Sequence, residues 1–224
     1  RPMPERPRLA PPLDVILQAD AIRLPLTGIG RYATELARAL QRHEGVSRLR
    51  FFGMASWVDD PFQALDPSAA PQARPLADDT RRAWLRSHLA GNRLAVRAYH
   101  ALVPRWNGWQ LRKEGASLYH APNYFLPPFP GPSVATVHDL SHLHFPQFHP
   151  VARVDYLHRA LPDTLRRATH LLTDAESVRQ DIMASLGWPA DRVTAVPLGV
   201  DPVFHPRPRD TLAPWLARHG LVPQ

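Results

Sequence analysis

The chain has 224 residues, is 44% apolar and carries a formal net charge of +7, which suits one large globular domain or two small ones. It contains no cysteine, which excludes disulfides, thiolate metal sites and a cysteine nucleophile. It has no apolar run of ~18 residues and no apolar core of a secretion signal near its start, so no spanning helix is expected.

Arginine supplies nearly all the positive charge, and Lys113 is the single lysine. Two readings stand: a GC-rich genome, or attraction to anionic lipid, nucleotide or nucleic acid. Residues 1–12 are rich in proline and arginine and read as a disordered leader. Residues 13–18 form a short apolar strand. Thr27-Gly-Ile-Gly-Arg-Tyr32 opens a helix with an apolar stripe at Ile29, Ala33, Leu36, Ala37 and Leu40, and residues 48–54 form a second strand. Together these make a βαβ unit. Residues 57–79 have no clear period and read as an irregular connection.

Residues 81–109 read as helical, with interruptions near Gly91-Asn92 and Pro104. Their apolar positions Leu85, Leu89, Val96, Tyr99, Val103 and Trp106 recur at helical steps, and the arginines fall mostly elsewhere. With Trp84, Trp106 and Trp109 at its edges, this stretch is either a membrane-interface helix or an ordinary core-facing helix with a solvated arginine face.

Residues 117–120 form a brief strand, 122–132 a proline-rich loop, and 133–137 an apolar strand that ends at His138-Asp139. A helix over 151–168 is strained or kinked at Pro162. A strand over 169–173, a helix over 175–186 stopped by Gly187, and a strand over 192–196 follow. Residues 197–208 hold four prolines and read as a linker, and 211–219 as a short helix. Strands alternating with helices predict an α/β fold, with a doubly wound, mostly parallel sheet and helices on both faces. The expected division is a domain over 13–196 and a hinge over 197–224 leading towards a second domain that the chain lacks.

Ligands of such sheets bind beyond the carboxyl ends of the strands, which places His138 and Asp139 at the lip of a crevice. His138 is then a hydrogen-bond donor into the crevice, or a structural histidine satisfied by backbone. Asp139 orients the imidazole, holds a substrate hydroxyl or caps the next segment. Asp174 and Glu176 follow another strand end, and Thr173-x-x-Glu176 has capping-box spacing. Gly28 and Gly30 make either a tight turn or a phosphate contact, with Arg31 adding a side-chain contact or a surface charge. His120, His138, His142, His144 and His149 cluster, but no Cys or Glu completes a tetrahedral set, so no metal is expected. No serine-nucleophile or Walker motif occurs.

Five stretches in order are similar to the N-terminal half of bacterial family 4 retaining glycosyltransferases: residues 23–32, 118–124, 136–140, 172–177 and 196–204. The set most resembles the mannosyl- and rhamnosyltransferases of lipopolysaccharide O-antigen assembly. The resemblance implies a Rossmann-like domain, one half of a GT-B fold. It also implies transfer of a hexose, such as mannose from GDP-mannose, to a glycan or undecaprenyl-linked acceptor at the inner face of the cytoplasmic membrane. No cofactor beyond the nucleotide-sugar donor is implied.

By the same resemblance, Gly28, Gly30 and Arg31 approach the donor diphosphate, and His138 contacts the transferred sugar. His120, Asn123 and Tyr124 line the acceptor side, where Asp139 and Asp174 are further candidates. Ala175 stands where relatives commonly carry serine. The E-x7-E signature of the donor domain does not occur after Phe204, so this stretch alone is expected to be inactive.

Two other classes compete. One is a non-catalytic basic module for anionic lipid or nucleic acid, although no nucleic-acid recognition motif occurs. The other is a dinucleotide-dependent oxidoreductase. It lacks the third glycine, at Ala33, and has His43-Glu44 where an acidic ribose contact belongs.

Overall fold

A computed structural model describes residues 11–53, 55–66, 68 and 93–221. Residues 1–10 and 69–92, with Trp84, lie outside them. Strand β1 (Leu13–Gln18) leads into helix α1 (Gly28–Arg42) and strand β2 (Val46–Gly53). A third strand, β3 (Ser56–Val58), pairs antiparallel with β2. Helix α2 (Arg93–Leu111), β4 (Leu118–Ala121) and β5 (Ser133–Thr136) follow. The chain continues through α3 (Ser141–His144), α4 (Val151–Arg167), β6 (His170–Thr173), α5 (Glu176–Leu186), β7 (Val193–Ala195) and α6 (Arg209–Arg218).

Among the described residues the sheet runs β3-β2-β1-β4-β5-β6-β7, parallel except at β3. The chain leaves β1 towards β2 on one side and later resumes at β4 on the other. The topological switch point is therefore between β1 and β4. β1 can occupy the centre because Val15, Ile16 and Leu17 are all buried, as a strand covered on both faces requires. Ile16 and Phe52 belong to one core cluster, with Leu111, Leu157 and Leu161 from the helices. Leu17 and Phe51 belong to another, closed by Ala33 and Ala37 of α1. Adjacent residues thus feed opposite faces, and helices cover both.

Four local expectations need correction. β3 replaces part of the irregular connection; three residues are too short for a readable period, and Ala55 turns the hairpin with φ 65°. α2 continues through Pro104 without the expected interruption, whereas α4 spans Pro162 as the sequence predicts. Residues 141–144 form a helical turn that the sequence pattern did not signal. The Thr173–Glu176 capping box does not form: the N-cap of α5 is Ala175, without a side-chain bond. Thr173 instead donates to the Ala175 carbonyl, and Glu176 pairs with Arg179 at 2.9 Å.

The turn into α1 is set by contact. A Cβ on Gly30 would lie 2.6 Å from the Ala21 carbonyl oxygen, whereas one on Gly28 would meet nothing within 4 Å. Gly30→Ala should therefore lower unfolding free energy by ~1–3 kcal/mol, as overpacking does, and Gly28→Ala should change it by less than ~0.5 kcal/mol. Urea unfolding followed by circular dichroism measures both. Equal effects would contradict the contact account.

Candidate active site

Three neighbouring strand ends converge on one imidazole. β5 is followed by Val137, whose N–H donates to the Leu172 carbonyl at 2.8 Å, and this delivers His138 beyond the sheet. The His138 Nδ1 lies 2.7 Å from an Asp174 carboxylate oxygen, just past β6. Its Nε2 lies 2.9 Å from the Pro122 carbonyl, just past β4. Both partners are acceptors, so a neutral ring donates to one of them and a protonated ring to both. In either state neither nitrogen is left over as a donor or base for the crevice, so the expected donor into the crevice is corrected to a histidine held by a backbone carbonyl and Asp174. The side chain remains 11% exposed. Asp174, and not Asp139, orients the imidazole.

Aromatic rings fix the remaining freedom. Tyr32, in the second turn of α1, meets His138 edge to face with centroids 5.0 Å apart. This contact ties the glycine turn to the imidazole. The Tyr32 hydroxyl lies 3.2 Å from Thr136 Oγ1, and burial raises its pKa. Thr136 Oγ1 is also 3.0 Å from His120 Nε2. His120 is thus a core residue of β4, only 6% exposed, rather than part of an open loop. Burial in the sheet lowers its pKa to about 4.

Tyr124 is buried too. Its hydroxyl donates to the Asp139 carbonyl at 3.0 Å and accepts from the Asp139 N–H at 3.2 Å, which pins the backbone after His138. Burial raises its phenol well above the ordinary range. The Asp139 carboxylate accepts from Ser141 N–H at 2.9 Å and Ser141 Oγ at 2.7 Å; it closes a local turn, but the N-cap of α3 is Leu140, so Asp139 does not cap that helix. Partial burial pushes its pKa up, but these bonds and Tyr124 outweigh it and the net shift is downward. Next to it, both ring nitrogens of buried His142 lack a hydrogen-bond partner.

At the start of α1, the Thr27 hydroxyl accepts from the Gly30 N–H at 3.1 Å. The amides of Gly28 and Ile29 are the first of the helix and, by helix geometry, point out of its N-terminus. Arg31 is exposed there and pairs with Asp201, in the segment after β7, at 3.3 Å. Such an exposed pair is weak and leaves the guanidinium able to exchange partners.

Asn123 lines a cleft of about 250 Å³ together with Gln18, Asp20, Asn107 and Tyr156. Pro122 forms part of its wall and, through its carbonyl, holds His138. Trp106 and Trp109 are exposed and stacked with centroids 5.1 Å apart. The Trp106 indole N–H donates to the Ala55 carbonyl at 3.1 Å, and Arg112 lies 4.3 Å over the Trp109 ring. Among the described residues no helix is long and apolar enough to cross a membrane.

Sequence reasoning missed Tyr32 and the Pro122 carbonyl. Tyr32 stood inside a noted motif, but its packing partner is 106 positions away by the numbering of Tyr32 and His138. A backbone carbonyl has no sequence signature at all.

Comparison with known proteins bears on this geometry. Residues 26–204 match the model of glycosyltransferase family 4. The chain is 31% identical over 212 residues to O-antigen chain mannosyltransferase B of Escherichia coli, an alignment covering 94% of this chain and 53% of that protein. The chain thus spans about half the length of this relative.

The burial of His120 makes a titration testable. Its ring should stay neutral until pH falls to about 4, while a free imidazole protonates near pH ~6.5. The unfolded chain then binds the proton first, so acidification from ~6.5 to ~4 removes stability, on the order of 3 kcal/mol in all. Imidazole C–H resonances followed by NMR check this. A His120 midpoint near ~6.5 would contradict it.

Proposed function

This chain belongs to glycosyltransferase family 4, and from that premise we propose that it forms the acceptor-side half of a retaining hexosyltransferase. The proposed reaction moves a mannosyl unit from a nucleotide sugar to a hydroxyl of a growing cell-surface glycan. The name of the E. coli relative supports the sugar and the glycan class. The observation that carries the reading is the edge-to-face contact of Tyr32 with His138. It sets a glycine turn at a helix N-terminus beside a rigid imidazole, at the carboxyl ends of the strands.

Each part has a physical task. The outward amides of Gly28 and Ile29, with the dipole of α1, favour the negative charge that builds on a leaving diphosphate. Gly28 suits close approach because the space around it is open. Arg31 exchanges Asp201 for phosphate oxygens, to which an arginine fork is well matched. His138, with both nitrogens engaged, positions the transferred sugar and does not act as general base. In the retaining reaction a leaving-phosphate oxygen takes the proton of the acceptor hydroxyl. Most donor recognition falls to a second domain in this reading. Peripheral contact with anionic lipid at the cytoplasmic face belongs to the same proposal. The stacked, exposed Trp106 and Trp109 beside Arg112 and Lys113 support it.

The test uses the full-length protein with GDP-mannose and a mannosylated acceptor. His138→Ala should lower kcat at least ~100-fold, equivalent to ~3 kcal/mol of transition-state stabilisation. Asp174→Asn should lower it ~10-fold by loosening the ring. Donor KM should change less than either. Activity of His138→Ala within about twofold of wild type would contradict the role of the imidazole.

A further inference from the structure

Tyr124 is a buried aromatic in a backbone conformation that side chains rarely adopt. Its φ is 41°, and among the described residues only Ala55, in the β2–β3 hairpin, shares that left-handed region without being glycine. Such a conformation carries a backbone cost and persists only where surrounding contacts enforce it. Here those contacts run to the segment that carries His138. The Tyr124 N–H donates to the Thr136 carbonyl at 3.0 Å. Its hydroxyl grips both backbone groups of Asp139, donating to the carbonyl at 3.0 Å and accepting from the N–H at 3.2 Å. Two residues earlier, the Pro122 carbonyl lies 2.9 Å from His138 Nε2. The chain bends at residues 122–124, and this short segment holds His138 both at its ring and at the residue that follows it.

The Tyr124 ring is wedged between two imidazoles, edge to face, with centroids 6.2 Å from His138 and 6.2 Å from His142. At 3% exposure, and with its hydroxyl engaged as both donor and acceptor, it has no surface left for a substrate. Burial keeps the phenol protonated, so the donor to the Asp139 carbonyl stays in place. An imidazole fixed only through its ring still swings with its backbone. Pinning the next residue removes that freedom, and a misplacement of ~1 Å at a reacting centre costs on the order of 100-fold in rate. We propose that Tyr124 is a positioning residue of the transfer reaction: its hydroxyl, acting through the Asp139 backbone, holds the His138 imidazole against the transferred sugar, and it does not touch the acceptor. This rests on the transferase reading above, and it replaces the acceptor-lining role that the family resemblance implies for Tyr124.

Tyr124→Phe in the full-length protein tests it, because the ring remains and only the hydroxyl goes. With GDP-mannose and a mannosylated acceptor, kcat should fall at least ~3-fold while both KM values move less than ~3-fold. The nitrogen-15 signals of the His138 ring should shift. In wild type the Asp139 amide should be protected from hydrogen exchange, although this exposed residue lies outside any helix or strand, and the variant should lose that protection. Ser133→Ala is the control. It removes a buried hydroxyl that donates to the Arg167 carbonyl at 2.9 Å, at the other end of β5, and should lower the urea midpoint while leaving kcat within ~3-fold. The assignment is overturned by a kcat loss below ~3-fold in Tyr124→Phe, by an acceptor KM raised more than ~3-fold, or by an equal kcat loss in Ser133→Ala. A freely exchanging Asp139 amide in wild type overturns it whether or not the variant folds. If wild type shows no transfer, the transferase reading falls, and the Asp139 amide and His138 signals alone judge the clamp.

Discussion

One imidazole held between two acceptors is the constraint from which the rest of the site follows. Pro122, His138 and Asp174 stand just past the ends of β4, β5 and β6, three adjacent parallel strands. Their mutual reach is set by register: Ala121 pairs with Ala135, and Thr136 with Leu172. Slipping either pairing by one residue would move its loop by ~3.3 Å and turn its side chains to the other face. The 2.7 Å contact with Asp174 and the 2.9 Å contact with Pro122 would not survive that. The buried β-branched and small residues of these strands thus serve the site by fixing register. The geometry of the candidate site is a property of the sheet register rather than of its loops alone.

The second constraint is the seating of α1. Thr27 caps the helix, Gly30 admits the Ala21 carbonyl, and Ala33 and Ala37 press the helix onto Leu17 and Phe51. Tyr32 is thereby aimed at His138. The N-terminal turn of α1 and a fixed imidazole end up side by side. The buried His120–Thr136–Tyr32 chain of polar contacts links sheet to helix behind them. Fully engaged polar groups of this kind specify one arrangement where apolar packing alone tolerates several.

Much of this was legible in the sequence, and the reasons differ by residue. β1 and the helix starting after Thr27 were readable because an apolar run and a 3.6-residue stripe are local signals. His138 was placed correctly at a strand end for the same reason. Its partner was not: Asp139 is adjacent in sequence, yet adjacent residues on an extended chain point apart, and the carboxylate that reaches the ring comes from the next strand. Gly30 could be noticed but its reason could not, since the obstructing Ala21 carbonyl is a matter of loop path. His120 and Tyr124 sat in a family-like motif that suggested surface roles. The structure shows one buried in the sheet and the other pinning backbone, burial that pattern alone does not report.

The central claim is that Asp174 fixes the orientation and proton of His138. Nitrogen-15 NMR of the imidazole in selectively labelled protein addresses it most directly. At neutral pH the account predicts that Nδ1 carries a proton and resonates as an N–H, and that Asp174→Asn disturbs this signal. A proton on Nε2 alone, with Nδ1 bare and indifferent to that substitution, would contradict it.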